Sequence, residues 1–207
     1  MSSTNVKVRS LPDPATVVPE KLAHFVLKTN NYEPMVDWYK KVLNARVVLS
    51  APHISFLTFD DEHHRIAITK VPRLAPRDPN ACGTEHVAFT FRDLGSLLAN
   101  YKRVKASGIL PSFPINHGNT ISLYYDDPDG NRVELQVDSF PTAQELQDYL
   151  ENDPDYASNP LGAPFDPEVL LARYEAGEPL SNLIKVPPLD RSPMDILQEM
   201  GLGPNNI

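Results

Sequence analysis

Residues 22–138 contain the same order of predicted elements twice, and this repeat limits the possible folds more than any other feature of the chain. In each half the spacing of apolar residues predicts strand, helix, strand, strand, strand. The predicted strands are 22–29, 45–50, 54–60, 65–71, 85–91, 110–115, 120–126 and 132–138, and the predicted helices are 33–43 and 94–106. Two such βαβββ modules normally bury a shared sheet surface. The sequence therefore predicts an α+β fold with an open, curved mixed sheet.

Individual residues of the two halves also match. Twelve positions separate Ser55 from Ala67, and twelve separate Ser122 from Glu134. The matched pairs are Ser55 with Ser122, Asp60 with Asp127, Arg65 with Arg132, Ala67 with Glu134 and, on the first strand of each half, His24 with His86. The halves therefore form a duplicated module within one domain at 20–138, with the modules at about residues 20–72 and 84–138.

The segments on either side of the repeat differ from it. Residues 1–19 form an N-terminal extension, and residues 139–207 form a proline-rich arm with three predicted helices. Thr142 with Glu145 predicts a capping box, while Asp166 and Ser192, each followed by proline, mark two further helix starts. The arm carries many bulky apolar side chains, which disordered segments lack. We expect an ordered helical extension that packs on its own domain or on a partner subunit.

Net charge, cysteine content and the lack of long apolar segments limit the partners and the cellular compartment that we expect. The net charge of −8 argues against binding to nucleic acid or to an anionic membrane, since both require a positive surface. Cys82 is the single cysteine, so no intramolecular disulfide can form. No segment resembles a signal peptide or is long and apolar enough to span a bilayer, and we expect a cytoplasmic protein.

Three residues on predicted strands are candidate metal ligands. His24, His86 and Glu134 each lie among apolar residues of an alternating segment, so each can point to the concave face of a curved sheet. A single histidine in such a place is more often a hydrogen-bonded core residue. A carboxylate between Val133 and Leu135, however, is costly to bury and needs a cation or strong donors. Two imidazoles and one carboxylate on one face form the facial triad of non-haem ferrous oxygenases.

The residue that matches Glu134 in the first half distinguishes a metal site with three protein ligands from one with four. Ala67 cannot bind a metal, so the duplicated fold supplies three ligands for four symmetric positions. A site with four protein ligands would need a carboxylate or an amide there. Three ligands leave coordination positions open for a substrate and for dioxygen, as an oxygenase requires.

Residues 20–138 resemble the vicinal oxygen chelate superfamily and, within it, the type I extradiol dioxygenases that act on catechols and biphenyl-2,3-diol. The segments that carry the resemblance are DEHHRIAI (61–68), NHGNT (116–120) and LYYDDPDGNRVEL (123–135). The DPDGNRVEL part is typical of the superfamily as a whole. The histidine pair and the His-Gly before the tyrosine strand are similar to the dioxygenase branch. The single pair of modules matches the compact single-domain members, and the long arm is an addition to their pattern.

The resemblance implies a role for each candidate residue. The three candidate ligands would bind Fe(II), with Mn(II) as an alternative. His64 would move protons during oxygen activation, and the alternative on the residues alone is an exposed turn histidine in the polar segment DDEHH. His117 and Tyr124 would bond the substrate hydroxyl oxygen. Tyr125 competes with Tyr124, but strand alternation sends the two to opposite faces.

The activity implied by the resemblance is the insertion of both atoms of O2 into a catechol-type aromatic diol, which gives a ring-opened product of the muconate-semialdehyde type. We also expect a homo-oligomer, a dimer or larger, because the arm offers apolar surface. One alternative is a glyoxalase-like isomerase or epimerase, which normally has a fourth protein ligand and needs no oxygen. Another is a metal-free protein of the same fold that binds a small apolar molecule.

Overall fold

Both predicted βαβββ modules are present in the computed structural model, which describes residues 11–78, 81–189 and 192–201. The first module contains β1 (Phe25–Thr29), α1 (Tyr32–Leu43), β2 (Arg46–Ala51), β3 (Ile54–Thr58) and β4 (Ile66–Lys70). The second contains β5 (His86–Thr90), α2 (Leu94–Ala106), β6 (Phe113–Asn116), β7 (Thr120–Asp126) and β8 (Arg132–Asp138). The predicted α+β class is confirmed. The first ten residues of the predicted N-terminal extension and the last six of the arm lie outside the described ranges.

Each module forms a mixed sheet. The strand order in the first sheet is β1-β4-β3-β2, and in the second it is β5-β8-β7-β6-β9, where β9 (Ala163–Pro164) belongs to the arm. β1 pairs with β4 and β5 pairs with β8 in parallel, while the other neighbours are antiparallel. The predicted mixed sheet therefore consists of two hydrogen-bonded sheets.

One face of each module helix joins the main hydrophobic core. The predicted apolar faces are buried: Met35, Trp38, Tyr39 and Val42 in α1, and Leu94, Leu97, Leu98, Tyr101 and Val104 in α2. The α2 helix begins where the carboxylate of Asp93 accepts a hydrogen bond from the backbone amide of Ser96, at 2.7 Å. Gly108, with φ of 78°, follows the end of α2.

The pairing register confirms the duplication along the parallel strands. Val26 lies opposite Ala67 in the first sheet, and Ala88 lies opposite Glu134 in the second. His24 precedes Val26 by two residues, as His86 precedes Ala88. The two histidines and the Ala67–Glu134 pair therefore occupy equivalent positions in the two modules.

One matched pair from the sequence is wrong by a single residue. Ser55 pairs with Ile68, whereas Ser122 pairs with Gln136, so the structural counterpart of Ser55 is Leu123 and not Ser122. The cause is one additional residue in the first module between its third strand and the turn aspartate. Because side chains alternate along a strand, a one-residue error assigns a residue to the wrong face of the sheet.

The arm packs on the second module. It contains α3 (Ala143–Asn152), α4 (Pro154–Ser158), β9, α5 (Pro167–Glu175), α6 (Leu180–Leu183) and α7 (Pro193–Glu199). Leu170 of α5 and Leu183 of α6 join the main core, while Ile196 and Met200 pack against Phe113, Ile115 and Tyr124. No helix within the described ranges is long and apolar enough to cross a membrane.

The predicted helix starts of the arm are present. The hydroxyl of Thr142 accepts a hydrogen bond from the backbone amide of Glu145, and the carboxylate of Asp166 accepts one from Glu168. The capping box with both reciprocal bonds forms at Ser192 and Asp195. The short elements α4, β9 and α6 were missed because they span five, two and four residues, too few for a periodic signal.

Two neighbouring residues of α5 provide a test of how firmly the arm is held. Leu170 is buried in the main core, while Val169 is 55% exposed. We expect Leu170→Ala to lower the free energy of unfolding by about 2–5 kcal/mol, because it leaves a cavity. Val169→Ala should change it by less than about 0.5 kcal/mol. Urea unfolding followed by circular dichroism measures both, and equal effects would show that the arm is not part of the folded core.

Candidate metal centre

Glu134 is the buried charge at the centre of the second sheet. It lies on β8, between β5 and β7, and is 5% exposed. Its strand partners are Ala88 and Tyr124, and alternation places His86 and Ser122 on the same face of the sheet. The carboxylate is therefore surrounded by polar groups of three adjacent strands.

Hydrogen bonds keep this carboxylate ionised. Burial by itself raises the pKa of Glu134, but bonds from His86, Ser122 and Tyr124 outweigh it and hold the pKa below the usual value for glutamate. The Nε2 atom of His86 lies 3.0 Å from Oε2 of Glu134. This contact, together with Glu85, raises the pKa of His86 to about 9 despite partial burial. A protonated imidazole thus balances the buried charge.

This pair fits two ligands of one cation. Two donor atoms that each lie about 2.1 Å from a metal, at a right angle, are about 3 Å apart. The same separation joins the His86 nitrogen and the Glu134 oxygen. An imidazole nitrogen and a carboxylate oxygen also match the donor types of a non-haem ferrous site. The chemistry and spacing of these two residues therefore fit a divalent metal.

His24 lies at the corresponding place in the first module, beside His63 and His64. Its ring centroid is 4.3 Å from that of His64 and 6.4 Å from that of His63. His64 stacks in turn on Phe56, with centroids 4.5 Å apart. Burial, and the neighbouring charges of His24 and His63, lower the pKa of His64, so this ring is neutral near pH 7 and can accept a proton.

The structure brings together some of the predicted site residues. His86 and Glu134 are in contact, and His24 is in contact with His64. Over residues 11–78, 81–189 and 192–201, no group of three or more histidine, cysteine, aspartate or glutamate side chains is arranged to hold a metal ion. The ligand set of His24, His86 and Glu134 therefore stays a prediction. His24 is supported by its strand register, which is equivalent to that of His86.

His117 and Tyr124 form a hydrogen-bonded pair next to Glu134. The Nδ1 atom of His117 lies 2.6 Å from the carbonyl oxygen of Leu161, and its Nε2 atom lies 3.3 Å from the hydroxyl of Tyr124. A carbonyl can only accept, so Nδ1 carries the proton and Nε2 is an acceptor. The Tyr124 hydroxyl has one hydrogen, for which Nε2 of His117 and the carboxylate of Glu134 are alternative acceptors. Burial lowers the pKa of His117 and raises that of Tyr124. Both groups are therefore neutral near pH 7.

The arm supplies the backbone that orients His117. Gly162, with φ of 84°, follows Leu161, and a Cβ at this position would lie 2.0 Å from the carbonyl oxygen of Asn116. Only glycine allows this approach, which places the Leu161 carbonyl against the imidazole. Tyr125, by contrast, is fully buried in the main core, on the other face of β7.

Sequence reasoning missed three groups that contact the candidate residues, and a fourth that contacts one of these three. Glu85 bonds His86, Arg132 bonds Glu85, and Ser122 bonds Glu134. Strand alternation could have found Ser122, since it shares a face with Tyr124 and Glu134. The carbonyl of Leu161 gave no signal, because it lies 44 residues from His117 in the sequence.

Comparison with known proteins agrees with this architecture. Residues 21–135 match the glyoxalase/bleomycin resistance protein/dioxygenase superfamily. This chain belongs to that superfamily. The predicted vicinal oxygen chelate fold is thereby confirmed. A solved structure of a glyoxalase/dioxygenase from Nostoc punctiforme covers 63% of this chain and 98% of its own, with a TM-score of 0.51 and 20% identity, and shows the same fold.

Two relatives of this protein align with most of its chain. Biphenyl-2,3-diol 1,2-dioxygenase 2 from Rhodococcus globerulus is 49% identical over 79% of this chain and 86% of its own length. Biphenyl-2,3-diol 1,2-dioxygenase 3 from the same organism is 47% identical over 81% of this chain and 88% of its own length. At this coverage the similarity extends beyond the family match and into the arm.

The lowered pKa of His117 predicts a loss of stability in acid. An unfolded histidine titrates near pH 6.5, above the folded pKa of His117, so unfolding takes up a proton as the pH falls through about 6.5. The advantage of the wild type over His117→Asn in free energy of unfolding should therefore shrink between about pH 7.5 and 5.5. Urea denaturation of chelator-treated protein at both pH values measures it. His53→Asn, at an exposed position, serves as the control, and a constant difference for His117→Asn would contradict the assignment.

Proposed function

We propose that this protein is an iron-dependent extradiol dioxygenase that cleaves the ring of an aryl-substituted catechol. The observation that carries the proposal is the pair of curated relatives named biphenyl-2,3-diol 1,2-dioxygenase, at 49% and 47% identity over about four fifths of the chain. Extradiol cleavage of a catechol-type diol was predicted from the family resemblance of the sequence motifs, which left the ring substituent open. The dioxygenase function is confirmed at the level of these relatives.

The names of the relatives also specify a bond. In biphenyl-2,3-diol the hydroxyl groups are on carbons 2 and 3, so a 1,2-dioxygenase cleaves the bond beside the diol and not the bond within it. That is extradiol cleavage, at the position next to the aryl substituent. For this chain we propose the same regiochemistry, which the sequence alone left open.

The proposed metal is Fe(II), held by His24, His86 and Glu134, with Mn(II) as an alternative. The contact between His86 and Glu134 and the equivalent register of His24 support this set. When bound, the ion would lower the pKa of the substrate hydroxyl and offer adjacent coordination positions to the diol and to dioxygen.

The remaining polar residues would act on the substrate directly. Tyr124 and His117 are joined by a hydrogen bond beside Glu134, so they are placed to orient a hydroxyl oxygen of the diol. His64 lies against His24 and has a lowered pKa, so it can accept a hydroxyl proton at neutral pH and return it later. The product is a ring-opened compound of the muconate-semialdehyde type.

The alternative of a glyoxalase-like isomerase is less well supported by the site. Ala67 occupies the position equivalent to Glu134 and is 2% exposed. The first module therefore has no carboxylate at this position that could serve as a fourth metal ligand. A metal-free binding protein would have no reason to keep histidine or glutamate at all three candidate ligand positions. Both alternatives predict no oxygen consumption.

The test is turnover by the reconstituted full-length chain. Protein is loaded with Fe(II) under anaerobic conditions and mixed with catechol, 3-methylcatechol or biphenyl-2,3-diol in air-saturated buffer. We expect oxygen uptake together with a new yellow absorption band, which shows ring opening. Oxygen uptake without that band would indicate a different oxidation, and the absence of both would refute the proposal.

The assignment of Glu134 as a metal ligand is tested by comparing the iron content of two variants. Glu134→Ala should retain little iron after desalting, because one ligand of three is lost. Gln136→Ala changes the same strand and the same face two residues further along, and it should retain iron as the wild type does. Full iron content in Glu134→Ala would show that this carboxylate is not a ligand.

His64 is expected to act on protons and not on the metal. We predict that His64→Gln lowers kcat by about 100-fold to 10,000-fold, because a general acid-base group contributes that much. Iron content should stay at the wild-type level. His53→Gln, at an exposed site in the same module, should leave kcat unchanged. Loss of iron in His64→Gln would move this residue from proton transfer to metal binding.

A further inference from the structure

We propose that Glu85, held in place by Arg132, is a positioning residue for His86, and that this chain of contacts links the candidate metal ligand to the C-terminal helix α7. The inference rests on the proposed function, since it concerns the imidazole that would bind iron. It adds a second layer of residues to the site and gives the arm a role in it.

The two ring nitrogens of His86 have different carboxylate partners. Nε2 lies beside Glu134, the candidate ligand, and Nδ1 contacts Oε2 of Glu85. An imidazole that binds a metal through one nitrogen usually donates the other N–H to a carboxylate or a carbonyl. That partner fixes the tautomer and the ring orientation. Glu85 is in position to serve as this partner.

Arg132 fixes the carboxylate of Glu85. Its Nη1 atom donates to Oε1 of Glu85 at 3.0 Å, and its Nε atom donates to Asp126 at 3.3 Å. The Arg132 side chain is 20% exposed, so the pairs are partly shielded from water. Glu85 is thus held between an arginine on one oxygen and an imidazole on the other.

The same arginine binds the carboxyl end of helix α7 in the arm. Nη1 of Arg132 donates to the carbonyl oxygen of Met200 at 2.7 Å, and Met200 is the C-cap residue of α7. A cation at the carboxyl end of a helix satisfies a carbonyl that has no partner within the helix. Ile196 and Met200 also pack against Tyr124. The contacts therefore run without a break from α7 through Arg132 and Glu85 to His86.

The first module shows that this arrangement is not a general property of the fold. The residue equivalent to Arg132 is Arg65, which donates to the backbone carbonyls of Leu22 and Ala23. Ala23 stands in the place of Glu85, so the first module has no carboxylate there. The two candidate imidazoles are therefore inequivalent: His86 is fixed by a carboxylate on each nitrogen, and His24 contacts other histidine rings.

The test measures metal affinity and the hydrogen bond of His86 separately. Fe(II) is titrated anaerobically into the full chain, and we expect Glu85→Ala to weaken binding about 10-fold to 100-fold. Glu85→Gln keeps an acceptor oxygen and should fall between Glu85→Ala and the wild type. Asp126→Asn removes the other carboxylate partner of Arg132 without touching His86 and should stay within about 3-fold of the wild type.

A nuclear magnetic resonance signature excludes a merely structural effect. In the Zn(II)-loaded protein with ¹⁵N-labelled histidine, the Nδ1 proton of His86 should resonate downfield in the wild type and in Asp126→Asn. In Glu85→Ala it should move upfield or exchange with solvent. The melting temperatures of the metal-free variants show whether Glu85→Ala is folded, and Glu85→Gln provides the comparison if it is not.

A double-variant cycle tests the role of Arg132. If Arg132 acts on the metal through Glu85, then Arg132→Gln should add little to the affinity loss of Glu85→Ala, because residues in one network are not additive. Additive losses would show that Arg132 acts by a separate route. Unchanged Fe(II) affinity and an unchanged Nδ1 signal in Glu85→Ala would overturn the inference while leaving the proposed function intact. Failure of the wild type to bind Fe(II) would overturn the proposed function instead.

Discussion

A buried carboxylate that must be balanced by positive charge or strong donors is the constraint on which the site depends. Glu134 is 5% exposed at the centre of the second sheet, where an unpaired charge would cost several kcal/mol. Side chains on both adjacent strands form hydrogen bonds with this carboxylate: His86 on β5, and Ser122 and Tyr124 on β7. The contact between Tyr124 and His117 extends this polar group. The raised pKa of His86 follows from its hydrogen bonds to Glu134 and Glu85.

Duplication supplied the framework, and the two modules then diverged. Their parallel strands keep the same register, so His24 and His86 occupy equivalent positions. The second module adds two carboxylates, Glu134 and Glu85, where the first has alanines. The charged candidate ligand and its supporting contacts are thus in the second module, while the first module contributes imidazoles with aromatic neighbours. This division suits a metal that needs open positions on one side.

The arm completes the second module and is part of the site. A carbonyl of Leu161 orients His117, and the carbonyl of Met200 accepts from Arg132. Ile196, in the arm's helix α7, and Met200, at the end of that helix, pack in one apolar cluster with Tyr124. Backbone carbonyls make these contacts, and any residue type can supply a carbonyl. Their positions depend on the turn at Gly162 and on the end of α7.

The sequence by itself determined the α+β class, the repeated module, both module helices and the chemistry of the candidate ligands. Apolar periodicity and the unusual carboxylate between Val133 and Leu135 are local signals that need no knowledge of distant contacts. The sequence alone could not show that Ser55 corresponds to Leu123 and not to Ser122. One additional residue near a turn shifts the match between the two strands and leaves their apolar pattern unchanged. Only the tertiary structure decided that Glu85 and Arg132 support His86 and that the arm reaches the site. Those contacts join residues up to 68 positions apart, and the folding of the whole chain sets their distances.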